Sequence, residues 1–465
     1  MKKSSSGVDQ AIQWFDTMGW KPFEFQLEAW KSHLAGKSGL VNAPTGSGKT
    51  YSLSVPMLLE GLDSSERKIQ ALWITPIRAL AKEIQMATER AATGLGSSWI
   101  VGVRSGDTGA KEKIRQKEKP PQFLITTPES LHLLLSQKNC SEYFSGLKTI
   151  VLDEWHELMG SKRGVQVELA LSRLKAIAPG LKIWGISATI GNMDQSLEVM
   201  LGADSDLKQH VLIRADIEKK IEIISVYPDQ LDKMPWSGHL GIQLLDKAIE
   251  IVRQSTSTLI FTNTRFFAEV WYQKMLENAP ELAGQIAMHH GSISMEIRQW
   301  VEEELHLGKL KAVICTSSLD LGVDFRPVET IIQVGSPKGV ARFLQRAGRS
   351  GHQPGATSRI YFLPTNSLEL IEAAAIREAI RAKVVEDRLP YLRSFDVLVQ
   401  YLVTLATGDG FRPAEIFTEI KRTYCFQSIS QEEWQWALSF ITTGGESLTA
   451  YDEYRKVEAL STAAE

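Results

Sequence analysis

The chain has 465 residues, of which 43% are hydrophobic and 23% are charged, and its formal net charge is −3. This composition predicts a globular protein with enough apolar residues for two or three domains. No apolar segment is long enough to span a bilayer, and the opening segment MKKSSSG lacks the apolar core of a secretory signal. We therefore expect a cytoplasmic protein without a membrane partner.

The three cysteines, Cys140, Cys315 and Cys425, lie far apart in the chain and form no CxxC pair. This spacing excludes a disulfide framework and a zinc or iron–sulfur site built from four cysteines. The small net charge does not predict general binding to polyanions. Any contact with a nucleic acid would therefore depend on local, oriented groups.

Short apolar segments rich in β-branched residues alternate with helix-like segments from residue 39 to about residue 190. The predicted strands are GLVNA, ALWIT, WIVGV, FLITT, TIVLD and IWGIS. This alternation predicts parallel strands covered by helices on both faces of the sheet. We place this first domain at residues 8–203.

A second series of strand-like segments extends from about residue 221 to residue 363. It comprises IEIISV, TLIFTN, QIAMHH, KAVICT, TIIQVG and RIYFL, and the polar segment GADSDLKQHVLIRADIEKK before it is interpreted as a linker. The series predicts a second doubly wound domain at residues 204–388. Beyond it, apolar residues at helical spacing in SFDVLVQYLVTLA, PAEIFTEIKRTY and QEEWQWALSFIT predict a small helical module at residues 389–465.

The segment APTGSGKT has the pattern of a phosphate-binding loop between a strand and a helix. It comprises Ala43, Pro44, Thr45, Gly46, Ser47, Gly48, Lys49 and Thr50. Gly46 and Gly48 allow the backbone to curl so that successive N–H groups point at phosphate oxygens, and Lys49 can reach the β- and γ-phosphates. Thr50 would ligate Mg²⁺. The alternative is a plain glycine-rich turn, but strand, loop and helix occur in the required order, which predicts a bound nucleoside triphosphate with Mg²⁺.

Two adjacent carboxylates follow the apolar strand of TIVLDEWHEL, about a hundred residues after the phosphate-binding loop. Ligands bind at the carboxyl ends of strands in open α/β sheets. We expect Asp153 to hold Mg²⁺ through water and Glu154 to orient and polarise the attacking water. Such a pair is by itself a common strand ending, and the preceding loop makes nucleotide hydrolysis the favoured interpretation.

The remaining short motifs occur in the order found in superfamily 2 helicases and translocases. They are TPIRAL, TPES, SAT, IFTNTR, TSSLDLGVD and QRAGRSG. The longer segments WHELMGSKRGVQVELALSRL, HHGSIS and GSPKGVARFLQRAGRSGHQPGA resemble the large helicase-related (Lhr) group of DEAH-type DNA helicases, particularly its ligase-associated branch. The resemblance implies two tandem RecA-like α/β domains followed by a mostly helical winged-helix module.

The resemblance also implies residues that bind the nucleoside of ATP. Gln26 in KPFEFQ matches the residue that contacts the adenine edge, and Phe23 is a candidate to cover the ring. Gly322 and Asp324 of LGVD match positions that approach the ribose.

Two arginines of QRAGRSG, Arg346 and Arg349, are three residues apart. We expect both to project from one side of a helix start toward the cleft between the domains, where each could act as an arginine finger on the γ-phosphate. Ser187 and Thr189 of SAT, with His156 of DEWH, are expected to couple the carboxylate pair to the nucleic-acid side.

Ten further residues match family positions near the DNA backbone. They are Thr75, Arg78, Arg104, Gly106, Thr127 and Glu129 in the first domain, and Thr262, Asn263, Ser292 and Thr316 in the second. Contacts of this kind to the phosphate backbone carry no sequence information. Individually, most of these residues could equally be helix caps or turn residues.

The predicted function is that of a Mg²⁺- and ATP-dependent DNA helicase and translocase on single-stranded or tailed-duplex DNA, moving in the 3′-to-5′ direction that the resemblance implies. The resemblance also implies a role in DNA repair, with a DNA ligase or nuclease as candidate partner. Two alternatives stay open. The chain could be an RNA helicase, because the motor motifs do not read the sugar. It could also be an ATP-gated DNA clamp or scaffold that does not separate strands.

The last segment, SLTAYDEYRKVEALSTAAE, is too short to complete the β-hairpin wing of a winged helix. We therefore expect a winged-helix module that is truncated. On this interpretation the chain hydrolyses ATP in response to single-stranded DNA but unwinds duplexes poorly.

Overall fold

The computed structural model describes residues 2–44, 46–64, 66–188, 190–217, 220–229, 241–320, 328–351, 357–444, 453 and 455–460. These residues form two domains with parallel sheets, here called lobe 1 (residues 2–214) and lobe 2 (residues 221–381), and a helical C-terminal module (residues 395–444). None of the helices in these ranges is long and apolar enough to cross a membrane.

Lobe 1 contains a parallel sheet of seven strands with helices on both faces. Its strands are β1 (Gly39–Asn42), β2 (Ala71–Ile74), β3 (Val101–Arg104), β4 (Phe123–Thr126), β5 (Thr149–Leu152), β6 (Lys182–Ser187) and β7 (Val211–Arg214). Its helices are α1 (Lys2–Thr17), α2 (Glu24–Leu34), α3 (Lys49–Gly61), α4 (Arg78–Leu95), α5 (Ala110–Glu118), α6 (Pro128–Leu135), α7 (Cys140–Phe144), α8 (Trp155–Leu158), α9 (Lys162–Ile177) and α10 (Met193–Leu201). The strand order is β3-β4-β2-β5-β6-β1-β7. All six predicted strands of this domain are confirmed.

The last strand of lobe 1, β7, lies in the segment interpreted as a linker, and that interpretation is wrong for these four residues. β7 pairs in parallel with β1, with Gly39 opposite Val211. A Cβ atom added to Gly39 would collide with the carbonyl oxygen of Val211, so the glycine permits this close pairing. The boundary predicted at residue 203 therefore separates lobe 1 from its own edge strand. Three apolar residues in a row within a polar segment are too weak a local signal for a strand.

Lobe 2 repeats the arrangement with a parallel sheet of six strands. Its strands are β8 (Ile221–Ser225), β9 (Thr258–Phe261), β10 (Ile286–His289), β11 (Ala312–Cys315), β12 (Thr330–Val334) and β13 (Ser358–Leu363). Its helices are α11 (Leu245–Gln254), α12 (Arg265–Asn278), α13 (Met295–His306), α14 (Val340–Ala347) and α15 (Leu368–Arg381). The strand order is β10-β11-β9-β12-β13-β8. Each predicted strand of the second series is confirmed.

The C-terminal module consists of α16 (Phe395–Thr407), α17 (Pro413–Lys421) and α18 (Gln431–Thr443). A capping box begins α18, because Ser430 and Glu433 satisfy each other's backbone N–H groups. The predicted helical character is confirmed. The segment after residue 444, where we expected an incomplete wing, lies mostly outside the described residues.

The hydrophobic cores divide unequally among these parts. One buried cluster joins one face of the lobe 1 sheet to all three helices of the C-terminal module, and a second covers the other face of that sheet. Lobe 2 has two clusters of its own, one for each face of its sheet. The module is thus built onto lobe 1, and α6 and α9 provide the surface against which it packs.

Candidate nucleotide and nucleic-acid site

The phosphate-binding loop connects the end of β1 to the start of α3. Gly46 and Gly48 have φ angles of 81° and 73°, in the left-handed region that favours glycine. The loop therefore curls, and α3 begins at Lys49 with its first N–H groups at the loop. Such a helix start is suited to binding an anion. Thr45 lies outside the described residues.

Gln26 is buried beside this loop. Its Nε2 atom donates to the carbonyl of Gly48 at 3.0 Å, and its Oε1 atom accepts from the backbone N–H of Phe23 at 2.9 Å. The side chain thus ties the start of α2 to the loop. The Phe23 ring is 41% exposed and stacks on Phe25 with 5.9 Å between ring centroids, which leaves one face available to a planar ligand.

The two predicted carboxylates lie together at the end of β5, and both are buried. Lys49 Nζ is 3.1 Å from Glu154 Oε1, and the backbone N–H of Glu154 donates to Asp153 Oδ1 at 3.0 Å. Glu154 adopts a left-handed φ of 43°. Backbone strain of this kind at a non-glycine residue is typical of functional sites. The structure therefore brings the loop lysine and the carboxylate pair into one cluster.

Burial affects the two carboxyls differently because their neighbours differ. Burial raises the pKa of Asp153 to about 7, and the adjacent Glu154 carboxylate adds to the shift. Burial also opposes the ionisation of Glu154, but Lys49 and then His156 outweigh it and hold the pKa of Glu154 below its ordinary value. The pair thus contains one ionised carboxylate and one carboxyl that a nearby cation would ionise.

Mg²⁺ fits this arrangement, since it prefers hard oxygen ligands and is commonly held by one or two protein groups together with substrate phosphates. Asp153 and Thr50 supply such oxygens beside the phosphate-binding loop. Across the described ranges, no cluster of three or more His, Cys, Asp or Glu residues could hold a metal ion.

His156 connects the carboxylate pair to lobe 2. Its Nδ1 atom is 3.2 Å from Ser187 Oγ and 3.5 Å from Glu154 Oε2, and its Nε2 atom is 2.6 Å from Gln345 Nε2 of α14. Burial lowers the pKa of His156, so the ring is neutral near pH 7. Since Gln345 can only donate through Nε2, the His156 proton resides on Nδ1, where Ser187 Oγ is the acceptor within hydrogen-bond distance. Thr189 lies outside the described residues.

Gln345 was not among the predicted site residues, although it lies in the quoted segment QRAGRSG directly before Arg346. Its signal was therefore present in the sequence. The sequence did not show that Gln345 contacts His156, because the two residues are 189 positions apart along the chain.

Arg346 is buried inside lobe 2. It makes a bidentate ion pair with Asp320, with distances of 2.7 and 3.2 Å, and its NH1 atom donates to Gln333 Oε1 at 2.6 Å. Its guanidinium also lies 4.7 Å from the centroid of the Phe261 ring. The expectation that Arg346 projects into the cleft is therefore wrong, because most of its guanidinium N–H groups donate to Asp320 and Gln333.

Arg349 lies beyond the end of α14, which the structure places at Ala347. The expected location at a helix start is therefore wrong, and the helical spacing that would align the two arginines ends between them. The Nε and NH2 atoms of Arg349 donate to the carbonyl of Asp320 at 3.3 and 3.0 Å. Its charge also makes a small contribution to the low pKa of Glu154, after those of Lys49 and His156.

Gly322 and Asp324 lie outside the described residues.

The predicted nucleic-acid residues of lobe 1 follow three adjacent strands. Thr75 comes after β2, Arg104 ends β3, and Thr127 comes after β4. The Thr75 side chain is buried, Arg104 NH1 donates to the carbonyl of Lys113 at 2.9 Å, and Thr127 caps α6 by accepting from Ser130 N. Thr127 and Thr75 thus have structural roles as well.

The other three predicted residues of lobe 1 are nearer the surface. Arg78 pairs with Asp107 at 2.8 Å, and a Cβ atom added to Gly106 would overlap the Arg78 guanidinium. Glu129 pairs with Arg163 at 2.5 Å. All six residues lie at or beyond the carboxyl ends of β2, β3 and β4, so they share one edge of the sheet. These three strands are neighbours, and β5, which carries Asp153 and Glu154 at its end, lies next to β2.

Lobe 2 shows the same placement. Thr262 and Asn263 follow β9, Ser292 follows β10, and Thr316 follows β11. Ser292 is exposed and accepts from Arg265 NH1 at 2.8 Å, whereas the Thr262 side chain is buried. Since β10, β11 and β9 are neighbours, these residues also share one edge of their sheet.

Three family models match the chain in succession. A DEAD/DEAH box helicase matches residues 23–197, a helicase conserved C-terminal domain matches residues 242–353, and the winged helix domain of the large helicase-related protein matches residues 378–464.

Individual relatives give the same result. The chain is 34% identical to the ATP-dependent helicase Lhr-Core of Methanocaldococcus jannaschii, over 92% of this chain and 52% of that protein. It is 32% identical to the Lhr-Core of Methanothermobacter thermautotrophicus, over 90% of this chain and 50% of that protein. The chain thus spans about half the length of these relatives.

A solved structure of Mycobacterium smegmatis helicase Lhr, bound to ssDNA and AMP-PNP, matches with a TM-score of 0.81 and 29% identity, over 93% of this chain and 57% of that one. The two motor domains and the Lhr-type winged helix occur here in one chain and in the same order. This chain therefore belongs to the Lhr family of helicases.

Proposed function

We propose that this chain is an ATP-dependent DNA helicase or translocase that moves 3′ to 5′ along single-stranded DNA. The observation that carries the proposal is the contact between the lobes beside the carboxylate pair, where His156, next to Glu154 in lobe 1, meets Gln345 of lobe 2. A hydrolytic site divided between two lobes is complete only when the lobes are close together. Hydrolysis in such a site is therefore coupled to a change in the distance between the lobes.

Lobe 1 supplies the groups that would bind the nucleotide. The curled loop and the start of α3 offer backbone N–H groups to the phosphates, and Gln26 lies where it could contact the adenine edge. Lys49 would exchange its 3.1 Å contact with Glu154 for the β- and γ-phosphate oxygens. Thr50 and Asp153 would hold Mg²⁺, which neutralises phosphate charge when bound.

Glu154 is the residue we propose to orient and polarise the attacking water. Its low pKa keeps it ionised at neutral pH, and release of Lys49 would free its Oε1 atom to accept a hydrogen bond. Arg349 would stabilise charge on the γ-phosphate as an arginine finger. Arg346 would then act through Asp320, because the same residue that pairs with Arg346 holds Arg349 through its carbonyl.

Both lobes carry the predicted nucleic-acid residues on corresponding sheet edges, so one strand could contact both. These groups are largely hydroxyl and backbone groups, which suits a protein of net charge −3 that binds phosphates without reading bases. A change in lobe separation would then alter the grip on the strand and produce a step. The direction of movement, the preference for DNA, the role in DNA repair and a ligase or nuclease partner are supported by the resemblance to the ligase-associated Lhr branch.

The central test is ATP hydrolysis measured against increasing single-stranded DNA and against RNA of the same sequence. We expect DNA to stimulate turnover. Stimulation by RNA alone would instead favour an RNA helicase.

Direction and strand movement are tested by displacement of streptavidin from a biotinylated strand. Movement 3′ to 5′ displaces streptavidin from the 5′ end and leaves it at the 3′ end. DNA-stimulated hydrolysis without displacement from either end would favour an ATP-gated clamp or scaffold.

A further inference from the structure

Residues 384–389, here called the strap, follow α15 and contact both lobes. The backbone N–H of Gly191 in lobe 1 donates to the carbonyl of Glu386 at 3.2 Å. The backbone N–H of Ala341 in α14 of lobe 2 donates to both Glu386 carboxylate oxygens, at 3.2 and 3.0 Å. A single residue of the strap therefore bridges the cleft.

On the lobe 2 side, the Glu386 carboxylate caps the start of α14. The residue before this helix is Gly339, which has no side chain to cap it, so the carboxylate of a distant residue satisfies the first-turn N–H group. Gly339 has a φ of 136°, and a Cβ atom there would collide with Glu386 Oε1. The backbone around Gly339 is thus shaped to admit this carboxylate.

On the lobe 1 side, Asn192 binds the strap backbone through two hydrogen bonds. Its Nδ2 atom donates to the carbonyl of Arg388 at 2.9 Å, and its Oδ1 atom accepts from the N–H of Arg388 at 2.8 Å. A Cβ atom added to Gly191 would collide with the strap. Gly191 and Asn192 follow the SAT segment after one intervening residue, so the strap contacts lobe 1 close in sequence to the residues expected to couple hydrolysis to nucleic acid.

We propose that Glu386 is a positioning residue for ATP hydrolysis, which holds α14 so that Gln345 reaches His156 of lobe 1. Gln345 lies four residues after Ala341, about 6 Å along a rigid helix, so a shift at the capped end moves it directly. Misplacement of a catalytic group by about 1 Å can cost about 100-fold in rate. The inference rests on the proposed ATPase function, and it adds a residue outside the helicase motifs.

The first test compares Glu386→Ala and Glu386→Gln with the wild-type chain in nucleic-acid-stimulated ATP hydrolysis. We expect kcat to fall about 10-fold in Glu386→Ala, with KM for ATP within about twofold, because the nucleotide-binding groups of lobe 1 are unchanged. Glu386→Gln keeps a carbonyl oxygen that can accept from the Ala341 N–H, so its kcat should lie between those of Glu386→Ala and wild type. Glu378→Ala, on the exposed surface of α15, is the matched control and should match wild type.

The second test uses the lobe 1 contact. Asn192→Ala should lower kcat in the same way, and the double variant with Glu386→Ala should lose less than the product of the two effects, because both act through one segment. An unchanged kcat in Glu386→Ala would overturn the proposal. A fall in kcat accompanied by a lower Tm would also overturn it, since this result would assign Glu386 a role in folding.

A third measurement separates this proposal from the proposed ATPase function. Spin labels at Lys111→Cys in lobe 1 and Asn278→Cys in lobe 2 report the distance between the lobes without nucleotide or DNA. We expect Glu386→Ala to broaden the distance distribution and Glu378→Ala to leave it unchanged. If wild type lacked ATPase activity, the proposed function would fail, whereas this broadening would still support the strap; an unchanged distribution would overturn the strap.

Discussion

The two lobes have the same kind of parallel sheet but are joined to the rest of the molecule in different ways. Lobe 1 shares a buried apolar cluster with the C-terminal module, whereas lobe 2 meets lobe 1 through polar groups, directly at Gln345 and through Glu386 of the strap. Large apolar interfaces keep domains together, while polar ones permit relative motion. The comparison indicates that lobe 1 and the module move as one unit against lobe 2.

Polar contacts also help to hold the C-terminal module on lobe 1. Arg173 of α9 pairs with Glu419 of α17 at 2.8 Å, and Ser172 donates to the Glu419 carbonyl at 2.5 Å. The carboxyl of Glu168 accepts from the backbone N–H of Cys425 at 2.9 Å. These groups hold the module in one orientation on α9.

The largest expected effect comes from removing the lysine of the phosphate-binding loop. Lys49→Ala should reduce ATP turnover by on the order of 10³-fold or more, because the β- and γ-phosphates lose their cationic partner. Binding to single-stranded DNA should persist, since the strand-binding edges of both sheets are unchanged. Turnover is measured with and without DNA, and DNA-stimulated hydrolysis that persisted in this variant would contradict the assignment of the loop.

The two arginines of lobe 2 sharpen the comparison, because Arg346 pairs with the Asp320 carboxylate inside lobe 2, whereas Arg349 is the proposed arginine finger. Arg349→Ala should reduce turnover by on the order of 10³-fold with little change in unfolding. Arg346→Ala should instead destabilise lobe 2 by about 3 kcal/mol, because the buried Asp320 loses its bidentate partner and keeps only Arg342, at 3.5 Å. Turnover and chemical denaturation are measured for both. Equal loss of stability in the two variants would contradict this division of roles.

The shared core is tested by a matched pair of leucines. Leu402→Ala in α16 should destabilise lobe 1 and the module together by about 2–5 kcal/mol, since it opens a cavity in their common cluster. Leu259→Ala should lower the free energy of unfolding of lobe 2 by a similar amount and leave lobe 1 and the module unchanged. Hydrogen exchange resolved by peptide measures both. If Leu402→Ala loosened the module without lobe 1, the two would not form one unit.

The smallest expected effect is a pH dependence at the interface of the module. Burial raises the pKa of Glu168 to about 8, above its ordinary value of 4.5. The neutral form is therefore favoured by folding, and its contribution to stability is complete below about pH 4.5 and lost as the pH rises toward about 8. We expect the free energy of unfolding to fall as the pH rises over this range.

Glu168→Gln should remove this dependence, because the amide is neutral at every pH and can still accept from Cys425 N. The exposed Glu142→Gln serves as control. The free energy of unfolding is measured by denaturation at about pH 5 and about pH 8. A dependence that survived in Glu168→Gln would place the titrating group elsewhere.

Local patterns in the sequence were sufficient for much of this protein. The alternation of apolar segments predicted twelve of the thirteen strands, and glycine spacing predicted the curl of the phosphate-binding loop. Strand patterning and left-handed φ angles depend on residues close together in the chain, which explains this success. The position of Asp153 and Glu154 at a strand end followed from the same local information.

Other features depended on residues that are distant in sequence and were decided only by the tertiary structure. β7 is a strand because β1 offers it an edge, and Arg346 turns inward because Asp320 and Gln333 lie beneath it. The cap of α14 comes from Glu386, 45 residues beyond the N–H group that it accepts from. A sequence shows which groups can form ion pairs or caps, but the partner that each one meets is set by packing across the whole fold.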